Sequence, residues 1–198
     1  MEPTETKTIG KYRIDVILDE DPYNPRDNDN LGTMVCFHGR YNLGDKNHGI
    51  DHNMFGGWGE MSAYIVKKEK VAVILPLYLY DHSGITISTS PFSCPWDSGS
   101  IGFIFVSKEK VRKEFSRKRM SKKLIQRMKE YLKSEVETYD QYLTGDCYGF
   151  RITDTETDEE MDNSWGYYGE EYCMSEAESV VKYLMKSDEH GQLELKLE

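Results

Sequence analysis

SKKLIQRMKEYLKSEVETYDQYLTG, residues 121–145, decides the class of fold. Leu124, Ile125, Met128, Tyr131, Leu132, Val136, Tyr139 and Leu143 recur at spacings of three and four, which gathers them on one face of a helix. Ser121 stands where an N-cap is wanted, and Gly145 where the chain must leave the helix. A stripe of this width must be buried against another layer, and the segments around it supply one.

Working outward, residues 11–19 alternate. Tyr12, Ile14, Val16 and Leu18 fall on one side and Lys11, Arg13 and Asp15 on the other, the period of a half-buried strand. Residues 21–30 are dense in turn formers and read as a loop, and residues 31–38 as a second strand. Residues 39–59 form a long His- and Gly-rich loop, a prime place for a binding surface, followed by a short helix over 60–68 with Met61, Tyr64 and Ile65 inward.

The run VAVILPLYLY (71–80) predicts a central strand, with a bulge or an end at Pro76 because proline offers no ladder N–H. Strands follow at 85–89 and 101–106, and a short helix at 107–115. Beyond the long helix, residues 147–153 predict a strand and 154–163 a loop or hairpin turn. Residues 165–168 give a return strand. Ser175-Glu176-Ala177-Glu178 reads as a capping box opening a helix to about 186. Strands and helices do not alternate regularly, so the expected class is α+β. It has a mixed or antiparallel sheet, one long amphipathic helix and a shorter C-terminal helix, in a single domain over 1–186 with a polar tail at 187–198.

The 198 residues carry a net charge of −10, unevenly placed. Residues 1–150 are neutral, with 21 acidic and 21 basic side chains, whereas 151–198 hold 14 acidic and 4 basic. Residues 107–133 carry 12 basic and 3 acidic groups. Such bipolarity can steer charged partners, or the two regions can neutralise one another. No run approaches the roughly 18 apolar residues of a membrane helix, and residues 1–11 are polar. The expectation is a cytoplasmic protein without membrane contact.

The chemistry-bearing residues are scattered. Cys36, Cys94, Cys147 and Cys173 form no C-x-x-C pair, so they read as free thiols, although Cys94 and His82 can be drawn as a nucleophile pair. His48 and His52 have H-x-x-x-H spacing. The glycine between them and the loop composition argue against a metal-binding helix, so no metal and no cofactor is expected. Asp81-His82-Ser83-Gly84 and the stretch Ser93 to Gly99, with Trp96, Asp97 and Ser98, each put carboxylate, hydroxyl and glycine at a turn. They serve as turn formers or together as a small-ligand pocket. No catalytic signature assigns a reaction.

Five strings carry a resemblance: DNDNLGTMVCFHGRYNLGD (27–45), LPLYLYDHSGITIST (75–89), FSCPWDSGSIGFIFVSKEKVRKEF (92–115), EVETYDQYLTGDCYGFRI (135–152) and DNSWGYYG (162–169). In this order, broken at 46–70, they resemble a protein family of bacteriophages, prophages and conjugative elements, mainly of Gram-positive hosts. The resemblance implies a mobile-element origin and no particular reaction.

Accessory proteins of such elements often act on the host. The favoured expectation is therefore an inhibitor of a host nucleic-acid-directed defence enzyme, of the anti-CRISPR or anti-restriction type. Its carboxylates would occupy a groove built for phosphates. The partner-binding candidates are Asp154, Glu156, Asp158, Glu159, Glu160, Asp162, Glu170 and Glu171, with Glu176 and Glu178 beyond them. Direct nucleic-acid binding by the basic helix is not expected. The alternative is a nucleotide-binding or nucleotide-hydrolysing protein using the 81–84 and 93–99 loops.

Overall fold

The structure, a computed structural model, describes residues 2–117 and 119–195, with side chains as far as 188. Along the chain the elements are β1 (Glu5–Ile9), β2 (Tyr12–Leu18), β3 (Thr33–Cys36), α1 (Trp58–Lys68), β4 (Val71–Asp81), β5 (Ile85–Ser88), β6 (Ser98–Ser107), α2 (Lys108–Glu114), α3 (Lys122–Thr144), β7 (Cys147–Asp154), β8 (Glu160–Tyr168) and α4 (Glu170–Leu195). Single 3₁₀ turns lie at Pro25–Asp27 and His52–Met54. Among the described residues these make four α-helices and two four-stranded antiparallel sheets, an α+β architecture. No helix among them is long and apolar enough to cross a membrane.

Contacts gather in two compact units, where the sequence reading expects one domain over 1–186. Residues 24–144 form an inserted unit, and residues 1–23 with 145–198 a split unit. The difference arises because β2 pairs with β7, from Tyr12 opposite Asp154 to Leu18 opposite Tyr148, across the whole intervening stretch. Nothing local in the sequence announces such a pairing.

The inserted unit has strand order β3-β6-β4-β5. Met128, Leu132, Val136 and Tyr139 of α3 are buried against Met34, Leu77, Leu79, Ile87 and Ile104. Met61 and Ile65 of α1 are buried with Val35, Val71, Phe103 and Phe105. Both faces of this sheet are therefore covered, which explains why β4 is a continuous apolar run. Pro76 does not end β4. The strand continues to Asp81, with a register shift between Leu77 and Tyr78. Strand β5 pairs only with residues 78–81, so β4 has a free edge beside Pro76, where a missing N–H is tolerated. Buried Arg26 bonds Asp45, Glu135 and the carbonyl of Gly32, and the Gly44 N–H donates to the Tyr139 hydroxyl at 3.0 Å. These bonds hold the 24–45 stretch on α3.

The split unit has strand order β1-β2-β7-β8 with α4 on one face. Tyr12, Ile14, Val16, Phe150 and Ile152 pack there on Cys173, Met174, Ala177 and Val181. Asp15 points to the other face as expected, yet it is 5% exposed, because it accepts from the Thr6 hydroxyl and pairs with Arg13 and Arg151. The C-terminal helix opens at Glu170 rather than Ser175, because its buried face already begins at Cys173 and Met174. Helix α4 thus takes up most of the expected tail, and residues 196–198 lie outside the described residues.

Candidate functional site

Strand β7 ends at Asp154 and β8 begins at Glu160, so residues 155–159 of the expected stretch 154–163 form a hairpin turn and 160–163 open its second arm. Glu156, Asp158 and Glu159 are exposed on that turn, where Asp158 takes a left-handed φ of +59°. Glu160 and Asp162 are exposed on β8, the edge strand, and Glu160 Oε1 accepts from Asn163 Nδ2 at 2.5 Å. Charges on an unpaired edge discourage sheet-to-sheet aggregation, so part of this acidity has a structural use. Glu170 and Glu171 stand in the first turn of α4, where the helix dipole favours carboxylates.

Asp154 stands apart from this set. It is 4% exposed, accepts the Glu156 N–H at 2.9 Å and lies 3.0 Å from Lys11 Nζ. The Glu156 amide first, then the Lys11 ammonium, hold its carboxyl below the usual carboxylate range. It stabilises the hairpin and is withdrawn from any partner. Glu178 is likewise engaged, by Lys7 at 2.6 Å.

The remaining acids are unneutralised. Residues 152–181 contain ten carboxylates and no Lys, Arg or His. Apart from Asp154 and Glu178, none of them has an ion-pair partner among the described residues. The split unit as a whole holds 21 acidic and 7 basic side chains, a formal −14, and the inserted unit 14 and 18, a formal +4. Charge is thus partitioned by compact unit. Two apolar side chains on β8 accompany the acids: Met161, 39% exposed, and Trp165, 45% exposed, whose ring lies over Gly149. Sequence reasoning missed both as surface residues, although an indole in the polar run Asp162-Asn163-Ser164-Trp165-Gly166 was a usable signal.

The 81–84 and 93–99 loops do come together, around Asp97. Its backbone oxygen accepts the Asp81 N–H at 2.8 Å, and its Oδ2 lies 3.5 Å from His82 Nδ1 and 3.7 Å from Cys94 Sγ. Asp81 pairs with Arg40, and the Ser98 hydroxyl bonds the Cys94 carbonyl. The carboxylate stands between thiol and imidazole, which is not the arrangement of a nucleophile pair, where imidazole must reach sulfur. Trp96 is 91% exposed, Ser93 is exposed, and Ser83 is a turn residue with φ of +58°.

The 39–59 loop borders a cleft of about 650 Å³ whose walls include Phe37, His38, Tyr41, Lys46, His48 and His52. His48 Nδ1 accepts the Ile50 N–H at 3.2 Å, and His38 Nδ1 accepts the Arg40 N–H at 3.3 Å, so one nitrogen of each imidazole is engaged by its own loop. Burial also lowers the His48 pKa. Among the described residues no three His, Cys, Asp or Glu side chains gather to hold a metal ion. Burial pushes the Cys36 thiol up to about 12, Cys147 to about 11 and Cys173 to about 12, leaving them as protonated core residues at neutral pH.

No family model matches the chain, and no curated protein or solved structure matches it either.

Proposed function

We propose that the protein is an accessory factor of a mobile element that binds and inhibits a host nucleic-acid-directed defence enzyme through its acidic split unit. The observation that carries this reading is the concentration of unneutralised carboxylates over residues 152–181, exposed on a turn and an edge strand and exposed or half-buried at a helix start of one compact unit. Enzymes that hold DNA present Lys and Arg to its phosphates, and a folded array of carboxylates competes for the same groups. Met161 and Trp165 add the apolar contacts that charge alone does not supply. The mobile-element origin rests on the five resembling strings.

The test is capture of targets from host lysate, followed by competition with duplex DNA at low and moderate salt. It compares wild type with a variant carrying Asp158→Asn, Glu159→Gln, Glu160→Gln and Asp162→Asn. Duplex should displace the wild type, and the variant should bind far more weakly. Binding by the variant at full strength, or a ternary complex with DNA, refutes mimicry.

A second reading, small-ligand binding at the 81–84 and 93–99 loops, is favoured by the convergence of His82, Cys94 and Asp97. Under that reading, nucleotide addition should protect Cys94 from a thiol reagent, and His82→Ala should abolish the protection.

A further inference from the structure

The end of α2 and the start of α3 enclose a second cleft, of about 790 Å³, within the size range of small-ligand sites. Among the described residues its lining comprises four cations, Arg117, Arg119, Lys123 and Arg127, the hydroxyls of Ser116 and Ser121, apolar Phe115 and Leu124, and no carboxylate. Arg117, Arg119 and Lys123 have no ion-pair partner among the described residues. Arg127 is held in place differently. Its guanidinium lies 5.3 Å from the ring centres of both Phe115 and Tyr131 and donates to the Tyr131 hydroxyl at 2.8 Å. A guanidinium fixed by two rings loses little freedom when it meets an anion.

Four cations kept together without a counter-charge repel one another, and an anion with several charges relieves that repulsion. Phosphate groups fit best, since Arg forks and hydroxyls both match phosphate oxygens. The rings of Phe115 and Tyr131 beside the cations add surfaces on which a base can stack. We propose that this cleft binds a multiply charged phosphate ligand of the nucleotide class, either the polyphosphate of a free nucleotide or the backbone of a single strand. The acidic unit has no part in it.

The experiment titrates the full chain with tripolyphosphate, a nucleoside triphosphate and a labelled single-stranded oligonucleotide at about physiological ionic strength, and melts every variant to confirm its fold. Binding is expected with Kd around 10⁻⁴ to 10⁻⁶ M, the usual range of charge-driven association. The double variant Arg117→Ala, Arg119→Ala should weaken it at least tenfold, whereas Lys129→Ala with Lys133→Ala, outside the cleft, should change it less than twofold. Arg127→Lys should bind more weakly than wild type despite its unchanged charge. If the oligonucleotide binds, log K should fall by about 3 per decade of salt, given roughly 0.7 per phosphate contact. Displacement of the oligonucleotide by triphosphate identifies the free nucleotide as a ligand of the same site, and a failure to displace identifies the strand. The proposal is overturned if none of the three probes binds or if the two double variants lose affinity equally.

Discussion

Arg26 grips Asp45 through two parallel hydrogen bonds, Nε to Oδ1 at 2.8 Å and Nη2 to Oδ2 at 3.1 Å, with its side chain only 2% exposed. The other edge of the guanidinium reaches Glu135 at 3.0 Å and the Gly32 carbonyl at 2.8 Å. Both carboxylates accept further backbone N–H groups, Asp45 from Met34 and Glu135 from Leu31 and Gly32. Every member is satisfied, so the cost of this network appears only when one partner is removed. Arg26→Ala leaves two half-sheltered carboxylates without a cation and should cost about 3 kcal/mol. Chemical denaturation measures this, and a loss below about 1 kcal/mol would show that solvent replaces the arginine.

Leu132 is fully buried under the sheet of the inserted unit. Leu132→Ala should cost about 2 to 5 kcal/mol, and exposed Lys129→Ala on the same helix about 0.5 kcal/mol or less. Equal losses in urea titration would place the stripe of α3 on the wrong face.

Asp154 and Asp188 flank Lys11, each 3.0 Å from its Nζ, and both carboxyls are held low, Asp188 chiefly by the Tyr12 hydroxyl. A depressed folded-state pKa contributes stability that is complete above the unfolded value, near 4, and is lost as pH falls through the folded value. Melting temperature should therefore drop below about pH 4. Asp154→Asn should be less stable than wild type at neutral pH and should close the gap in acid. A constant difference across that window would show that the carboxylate charge contributes nothing.

Thiol chemistry separates Cys94 from the rest. Cys36, Cys147 and Cys173 are buried with raised pKa values, and Cys94 is half-buried in a surface loop. A disulfide reagent at pH 8 should find one fast thiol in the native protein and four in denaturant. Loss of the fast phase in Cys94→Ser identifies it, and a second fast thiol would contradict the burial.

The elements legible in sequence were those with one face or both faces in a core. The stripe from Leu124 to Leu143 gave α3 and its orientation, and alternation through Tyr12, Ile14 and Val16 gave β2. Strand β1 and the first half of β8 were not legible, because Glu5–Ile9 and residues 160–163 are exposed edge segments with almost nothing apolar to set a period. Of the candidate sites, the acidic positions stood out by composition alone. Asp154 is held first by the nearby Glu156 amide, but its ion pair comes from Lys11, 143 residues earlier in the chain, which no local pattern reveals. The cleft at Arg117 to Arg127 was visible only as a run of charge, since its lining is drawn from α3 and from the residues between α2 and α3.

The insertion of residues 24–144 between β2 and β7 dictates an order of events during synthesis. The β1–β2 hairpin leaves the ribosome before the inserted unit, and the inner edge of β2 waits without a neighbour until β7 has been made. Joining two strands so far apart carries a loop-closure cost, and that cost shrinks when the intervening chain is already compact. Everything the inserted sheet needs is contiguous, so it is complete in nascent chain before the acidic hairpin exists. The strongly negative surface therefore takes shape after the inserted unit, and a translation product truncated at about residue 144 would carry the basic cleft without it.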